Sequence, residues 1–219
     1  MTRKAETNHQ AKPAKTEVPQ VLVDEVRPGQ SLELLKELHI LTRDGKLNQD
    51  SRRKLKQVYH LYQFIEKLLL ELVSEGAKRL SNGSLNSPTQ LGQEILGITL
   101  ADHGAGKSYL GFILYDLFFK DLQRGQVFGI ETRSELVEKS RELADRLGFK
   151  RMAFLNLTVV ESSQSAQLPE RVDVVTALHA CDTATDDAIS FGLQKHARFM
   201  VLVPCCQAEV ARILSQHKA

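Results

Sequence analysis

The sequence predicts an α/β protein, a doubly wound and mostly parallel sheet preceded by an N-terminal helical extension. Three observations predict it. From residue 91 onward, apolar runs alternate with helical patterns of crossover length, the signature of parallel strands joined through right-handed connections. The runs "ILGITLAD", "GQVFGIE", "KRMAFLNLTVV", "RVDVVTALHA" and "ARFMVLVP" are nearly all apolar, as strands covered on both faces must be. A glycine turn, "DHGAG", follows the first of them and opens the first helix of the alternating part.

Taken in chain order, "MTRKAETNHQAKPAKTEVPQ" is polar and carries two prolines, so it has too little apolar surface to offset the entropy of ordering. Residues 1–30 are expected to form a flexible tail. Residues 31–90 form a helical N-terminal region. Ser31 is a capping residue for a short helix with Leu34, Leu35 and Leu38 on one side. From Asn48 or Asp50, the residues Leu55, Val58, Tyr62, Ile65, Leu69 and Leu72 recur at steps of three and four, which is the buried stripe of a long helix. Its first turn carries Arg52, Arg53, Lys54 and Lys56, read first as a solvated flank and second as a contact for a phosphate backbone. The Ser/Asn/Gly/Pro-rich "SNGSLNSPTQLGQE" is a connector. Residues 91–219 form the alternating domain, with helices at "SYLGFILYDLFFKDL", "SELVEKSRELADRLG" and "TDDAISFGLQKH". The crossover "ESSQSAQLPE" has poor periodicity, so any helix there is short or irregular.

Composition narrows the function classes. A length of 219 residues with 42% hydrophobic and 26% charged residues suits one core with added elements, and a net charge of +2 gives no global drive toward nucleic acid or membrane. The three cysteines are odd in number and include the adjacent pair Cys205 and Cys206, so they do not make a disulfide framework. Together with Cys181 and His179 they lack the C-x2-C spacing of a zinc site, and no metal is predicted. No apolar leader and no run of about 18 apolar residues is seen, so a cytoplasmic location without membrane contact is expected. Oligomeric state stays open.

The stretch from Ala101 to Ser108, "ADHGAGKS", fits two loops. As a relaxed phosphate loop it would use Lys107 for phosphates and Ser108 for magnesium. That reading must accept Ala101 where a glycine normally stands and an aspartate, Asp102, beside a triphosphate, which is repulsive without a cation. As a methyl-donor loop it gives Asp102 a place at the end of the first strand and gives Glu131 one at the end of the second. Glu131 would accept the two ribose hydroxyls of a nucleoside. A nicotinamide site shares both features but needs G-x-G-x-x-G, whereas here Gly104 and Gly106 are followed by Lys107, Ser108 and Tyr109.

At "DHGAGKSYLGFILYD", "GIETR", "VDVVTALHACDTATDDAI" and "VLVPCCQAE" the chain resembles a bacterial family of Rossmann-like class I S-adenosylmethionine-dependent methyltransferases, distantly similar to tRNA ribose methyltransferases. The resemblance covers about residues 50–215. It implies S-adenosyl-L-methionine as cofactor, bound by Asp102, Gly104, Ala105, Gly106 and Glu131. It also places Asn156 and Thr158 toward the adenine and the segment from Ala177 to His179 along the methyl group. His103 departs from the pattern, standing where an apolar or small residue is expected. The family's sheet normally continues past a fifth strand into an antiparallel pair, so the C-terminal strands are expected to be missing from this chain. RNA, and tRNA in particular, is the leading acceptor by this resemblance.

Methyl transfer is an in-line displacement that needs positioning and, for a protonated nucleophile, a base. His179 fits that role, with a structural hydrogen bond as the competing reading. Asp182 either orients the imidazole or caps the next helix, for which Thr183 and Thr185 compete. Three readings thus stand: a methyltransferase on RNA or another acceptor, a phosphate-loop ATPase or GTPase module using Lys107 and Ser108, and a degenerate methyltransferase fold serving as a scaffold.

Overall fold

The computed structural model describes residues 25–81, 97–178 and 183–204. Five strands form one all-parallel sheet in the order β3-β2-β1-β4-β5. They are β1 (Thr99–His103), β2 (Gln126–Glu131), β3 (Met152–Asn156), β4 (Val174–Leu178) and β5 (Phe199–Val203). The order reverses between β1 and β4, so the carboxyl ends of β1, β2 and β4 meet at the switch point where ligands bind in such sheets. Register does the positioning. Asp102 lies opposite Thr176 of β4 and Gly129 of β2, and Glu131 lies opposite Asn156 of β3.

Ahead of the sheet, α1 (Leu32–Glu37) begins at Ser31, whose hydroxyl accepts from the backbone N–H of Leu34 at 3.1 Å. Helix α2 (Gln49–Ser81) starts after Asn48, whose side-chain oxygen accepts from the N–H of Ser51 at 2.8 Å. Its stripe of Leu55, Val58, Tyr62, Ile65, Leu69 and Leu72 is buried, as the spacing predicts. Each such side chain is worth about 1.5–3 kcal/mol of transfer free energy, which is what holds a helix this long against the domain.

After β1 the chain enters α3 (Tyr109–Leu114), passes through a π-helical turn (Tyr115–Phe119) and closes with one α-turn (Lys120–Leu122). The π turn carries Asp116, whose buried carboxylate accepts from the N–H of Ser31 at 2.8 Å and from Lys120 Nζ at 3.1 Å. Lys120 also donates to the carbonyl of Gly29. The start of α1 is thereby tied to the first helix of the sheet domain, and α1, α2 and α3 share one apolar cluster with Leu100, Val127 and Val174 of the sheet.

Helix α4 (Ser134–Arg146) follows β2 and joins the same layer through Val137, Leu143 and Ala144. The sequence carries the third strand through Val160, but β3 ends at Asn156 and the chain enters α5 (Val159–Gln164). Thr158 and Glu161 form a reciprocal capping box that starts this helix, and the T-x-x-E spacing overrides the β-branched Val159 and Val160. The opposite face of the sheet is covered by α6 (Thr183–Gln194), whose Phe191 packs with Ala101, Phe128, Ile130 and Val175. No helix among the described residues is long and apolar enough to cross a membrane.

Candidate active site at the carboxyl ends of the first two strands

The turn after β1 is built from positive-φ residues: Gly104 at +65°, Gly106 at +58° and Ser108 at +51°. Three such residues in five reverse the chain tightly and start α3 directly over the strand end. A Cβ added at Gly104 would meet nothing within 4 Å, so this turn has an open side where a ligand can approach the backbone. Ser108, by contrast, is fully buried in the left-handed region. Its hydroxyl is directed at Asp102 Oδ2, 3.4 Å away, rather than outward. That orientation removes Ser108 from any magnesium role and gives the phosphate-loop reading no support, while Lys107 stands exposed on the turn.

Asp102 is 2% exposed. Its Oδ1 accepts from Thr176 Oγ1 at 2.8 Å, and Ser108 and the Gly111 backbone serve its other side. Burial pushes its carboxyl up to about 7, against these hydrogen bonds, which pull it down. Both oxygens thus face the interior, where they brace the glycine turn and β4. Gly111 is required here for space, because a Cβ would lie 2.5 Å from Ser108 Oγ.

Glu131 sits across the turn and is 7% exposed. The N–H of Gly106 donates to its Oε2 at 2.7 Å, linking the end of β2 to the turn after β1. Arg133 donates to it from its own N–H at 3.1 Å, from Nε at 3.0 Å and from a terminal nitrogen at 3.1 Å. Burial alone would raise this carboxyl, yet the Arg133 side chain, the Arg133 backbone and the Gly106 backbone together lower it to about 2. Glu131 is therefore a fixed anion at the rim of the turn.

Asn156, at the end of β3, donates its amide to the carbonyls of Glu131 (3.0 Å) and Thr132 (2.8 Å), fixing the loop that carries the carboxylate. Thr158 is exposed, and its hydroxyl is engaged in the capping box with Glu161. Ala105 donates its N–H to the carbonyl of Ile130 at 3.0 Å, a further stitch between turn and β2. Ala177 is fully buried with Ala188 beneath the end of β4. His179 and Asp182, like Cys181, Cys205 and Cys206, lie outside the described residues.

Two contributors were not singled out from the sequence, and a third was seen only as a departure from the family pattern. Thr176 is one, although a threonine in the otherwise apolar "VDVVTAL" is a visible signal. Arg133, directly after "IET", is another. His103 is the third: it is 6% exposed, its ring lies 5.2 Å from that of Phe191, and its Nε2 has no hydrogen-bond partner. Burial lowers its pKa, opposed by Asp187 and Glu131. Among the described residues no group of three or more His, Cys, Asp or Glu gathers to hold a metal.

An open glycine turn, an ionised carboxylate across it and a braced acid beneath it fit a nucleoside-containing cofactor. A family model described as a methyltransferase domain matches residues 53–213. Among curated protein sequences none matches significantly. Similar solved structures include M. capricolum TrmK in complex with S-adenosyl-homocysteine, at 11% identity and a TM-score of 0.39, covering 54% of this chain and 50% of that one. Magnesium protoporphyrin IX methyltransferase from Synechocystis PCC 6803, with bound S-adenosyl-homocysteine, matches at 16% identity and a TM-score of 0.46, covering 85% and 74%. The fibrillarin/Nop5p complex matches at 13% identity and a TM-score of 0.39, covering 54% and 59%. The chain thus spans about half the length of TrmK.

Proposed function

The chain belongs to the methyltransferase domain family, and from that premise we propose that it transfers a methyl group from S-adenosyl-L-methionine to an RNA acceptor. The cofactor supplies an activated methyl on a sulfonium centre; the protein supplies position and a proton acceptor. Glu131 accepts the ribose hydroxyls at the end of β2. Gly104, Ala105 and Gly106 let the backbone come against the methionine portion, and Asp102 keeps that turn in shape through Ser108 and Thr176. Asn156 steadies the Glu131 loop, and, following the resemblance, Asn156 and Thr158 lie toward the adenine and Ala177 toward the methyl group.

His179 follows the last residue of β4 in the chain, so we assign it the proton from the acceptor nucleophile, with Asp182 as its positioning partner. RNA as acceptor is supported by the resemblance of "ALHACDTATDDA" and "PCCQ" to tRNA methyltransferases and by the exposed Lys54 and Lys56 on α2.

The observation that carries the reading is the Glu131 carboxylate bonded across the glycine turn to Gly106 N–H. Calorimetry with S-adenosylhomocysteine and with Mg-ATP tests it. The expected result is saturable S-adenosylhomocysteine binding that disappears in Glu131→Ala and no ATP binding. Magnesium-dependent ATP binding that depends on Lys107 would overturn it. Methyl incorporation from labelled cofactor into total RNA, lost in His179→Ala, tests the acceptor.

A further inference from the structure

We propose that Arg133 is a latch on the cofactor site, its guanidinium holding the Glu131 carboxylate in the place the ribose hydroxyls take, so that cofactor loading is an exchange of partners at Glu131. This rests on the reading of Glu131 as the ribose acceptor.

The acceptor capacity of Glu131 is what carries it. A carboxylate offers roughly four lone-pair sites on its two oxygens. Oε1 accepts from Arg133 N–H at 3.1 Å, Arg133 Nε at 3.0 Å and Thr132 Oγ1 at 3.3 Å. Oε2 accepts from Gly106 N–H at 2.7 Å and from the Arg133 terminal nitrogen at 3.1 Å. The carboxylate is saturated. Two vicinal hydroxyls bring two donors, and they find acceptor sites only if two present donors leave.

The donors differ in freedom. Gly106 N–H and Arg133 N–H are backbone, held by the turn and by the start of α4. The two guanidinium N–H groups belong to a side chain that is 59% exposed and makes no other hydrogen bond among the described residues. Arg133 occupies the N-cap position of α4 without a side-chain capping bond, so the helix does not depend on the guanidinium. When it swings away, the two backbone donors remain to hold Glu131 toward the turn. The guanidinium also overlies the turn, since its terminal nitrogen lies 3.8 Å from where a Cβ on Gly106 would be.

An exposed ion pair is weak and screened by salt, whereas hydroxyl-to-carboxylate bonds are much less so. Salt therefore loosens the latch more than it loosens the cofactor. The test titrates the full chain with S-adenosylhomocysteine, adenosine and 2′-deoxyadenosine by calorimetry at low and high salt, using wild type, Arg133→Gln and Arg133→Lys. At low salt Arg133→Gln is expected to bind S-adenosylhomocysteine and adenosine about threefold to fivefold more tightly, in keeping with an exposed pair. Arg133→Lys, which keeps the charge but not the fork, is expected to fall between. Wild-type affinity for the uncharged adenosine should rise with salt and that of Arg133→Gln stay flat, while 2′-deoxyadenosine gains less from the substitution.

Equal or weaker binding by Arg133→Gln, with Glu131→Ala still abolishing it, would overturn the latch and leave the cofactor reading standing. No binding of either nucleoside or S-adenosylhomocysteine by wild type and Arg133→Gln alike would overturn both.

Discussion

Asp102 and Glu131 end neighbouring strands of one sheet, on either side of one glycine turn, and the protein treats the two carboxylates in opposite ways. At the end of β1 the acid is turned inward and served mainly by hydroxyls, so burial dominates and its pKa rises to about 7. At the end of β2 the acid is at the rim and served by a guanidinium and two backbone N–H groups, so it is held at about 2. Charged and amide donors outweigh desolvation where hydroxyls do not. The first acid builds the turn. The second stays charged at the rim of the same turn.

The largest expected effect separates these roles. Glu131→Ala should lower S-adenosylhomocysteine affinity by about 100-fold or more, the loss of two hydrogen bonds to a charged group at roughly 1.5–3 kcal/mol each, while the thermal unfolding transition stays cooperative. Asp102→Ala should act on stability instead. It strands the Thr176 and Ser108 hydroxyls and opens a gap, at a cost of about 2–3 kcal/mol by urea unfolding. Equal loss of cofactor affinity in both variants without loss of stability in Asp102→Ala would erase the distinction.

The pH dependence sharpens it further. Because its folded-state pKa is raised, Asp102 contributes stability that is fully present below its ordinary value of 3.8 and is lost as pH rises through about 7. Glu131, lowered from 4.5 to about 2, contributes stability present above 4.5 and lost as pH falls toward 2. Urea unfolding of Asp102→Asn between pH 4 and pH 8 is therefore expected to lack the decline that wild type shows over that range. The smallest effect concerns the turn between the two acids. Lys107→Ala, an exposed side chain, should change S-adenosylhomocysteine affinity less than about twofold, since solvent-exposed charges contribute little.

Much of this was legible in order along the chain. The apolar runs of β1, β2, β4 and β5 and the α2 stripe follow from periodicity alone, because burial on one or both faces dictates residue type locally. Asp102 and Glu131 were legible as strand-end acids. The early end of β3 could have been read from Thr158 and Glu161, but the β-branched Val159 and Val160 argued for strand. The Thr176–Asp102 bond, the Ser31–Asp116 tie across the π turn and the packing of the His103 ring on Phe191 join residues 74, 85 and 88 apart in the chain.

The sequence by itself determined the alternation of strands and helices, the buried stripe of α2 and the presence of an acid at each of two strand ends, since each is a matter of neighbouring residues and their period. Tertiary structure alone decided what each acid does. Parallel register set Asp102 beside Thr176, and the left-handed turn at Ser108 aimed a hydroxyl at the same carboxylate. Gly106 and Arg133 were brought onto Glu131 by the meeting of two loops. A carboxylate's pKa and reach are properties of its surroundings, and those surroundings come from segments far apart in the chain.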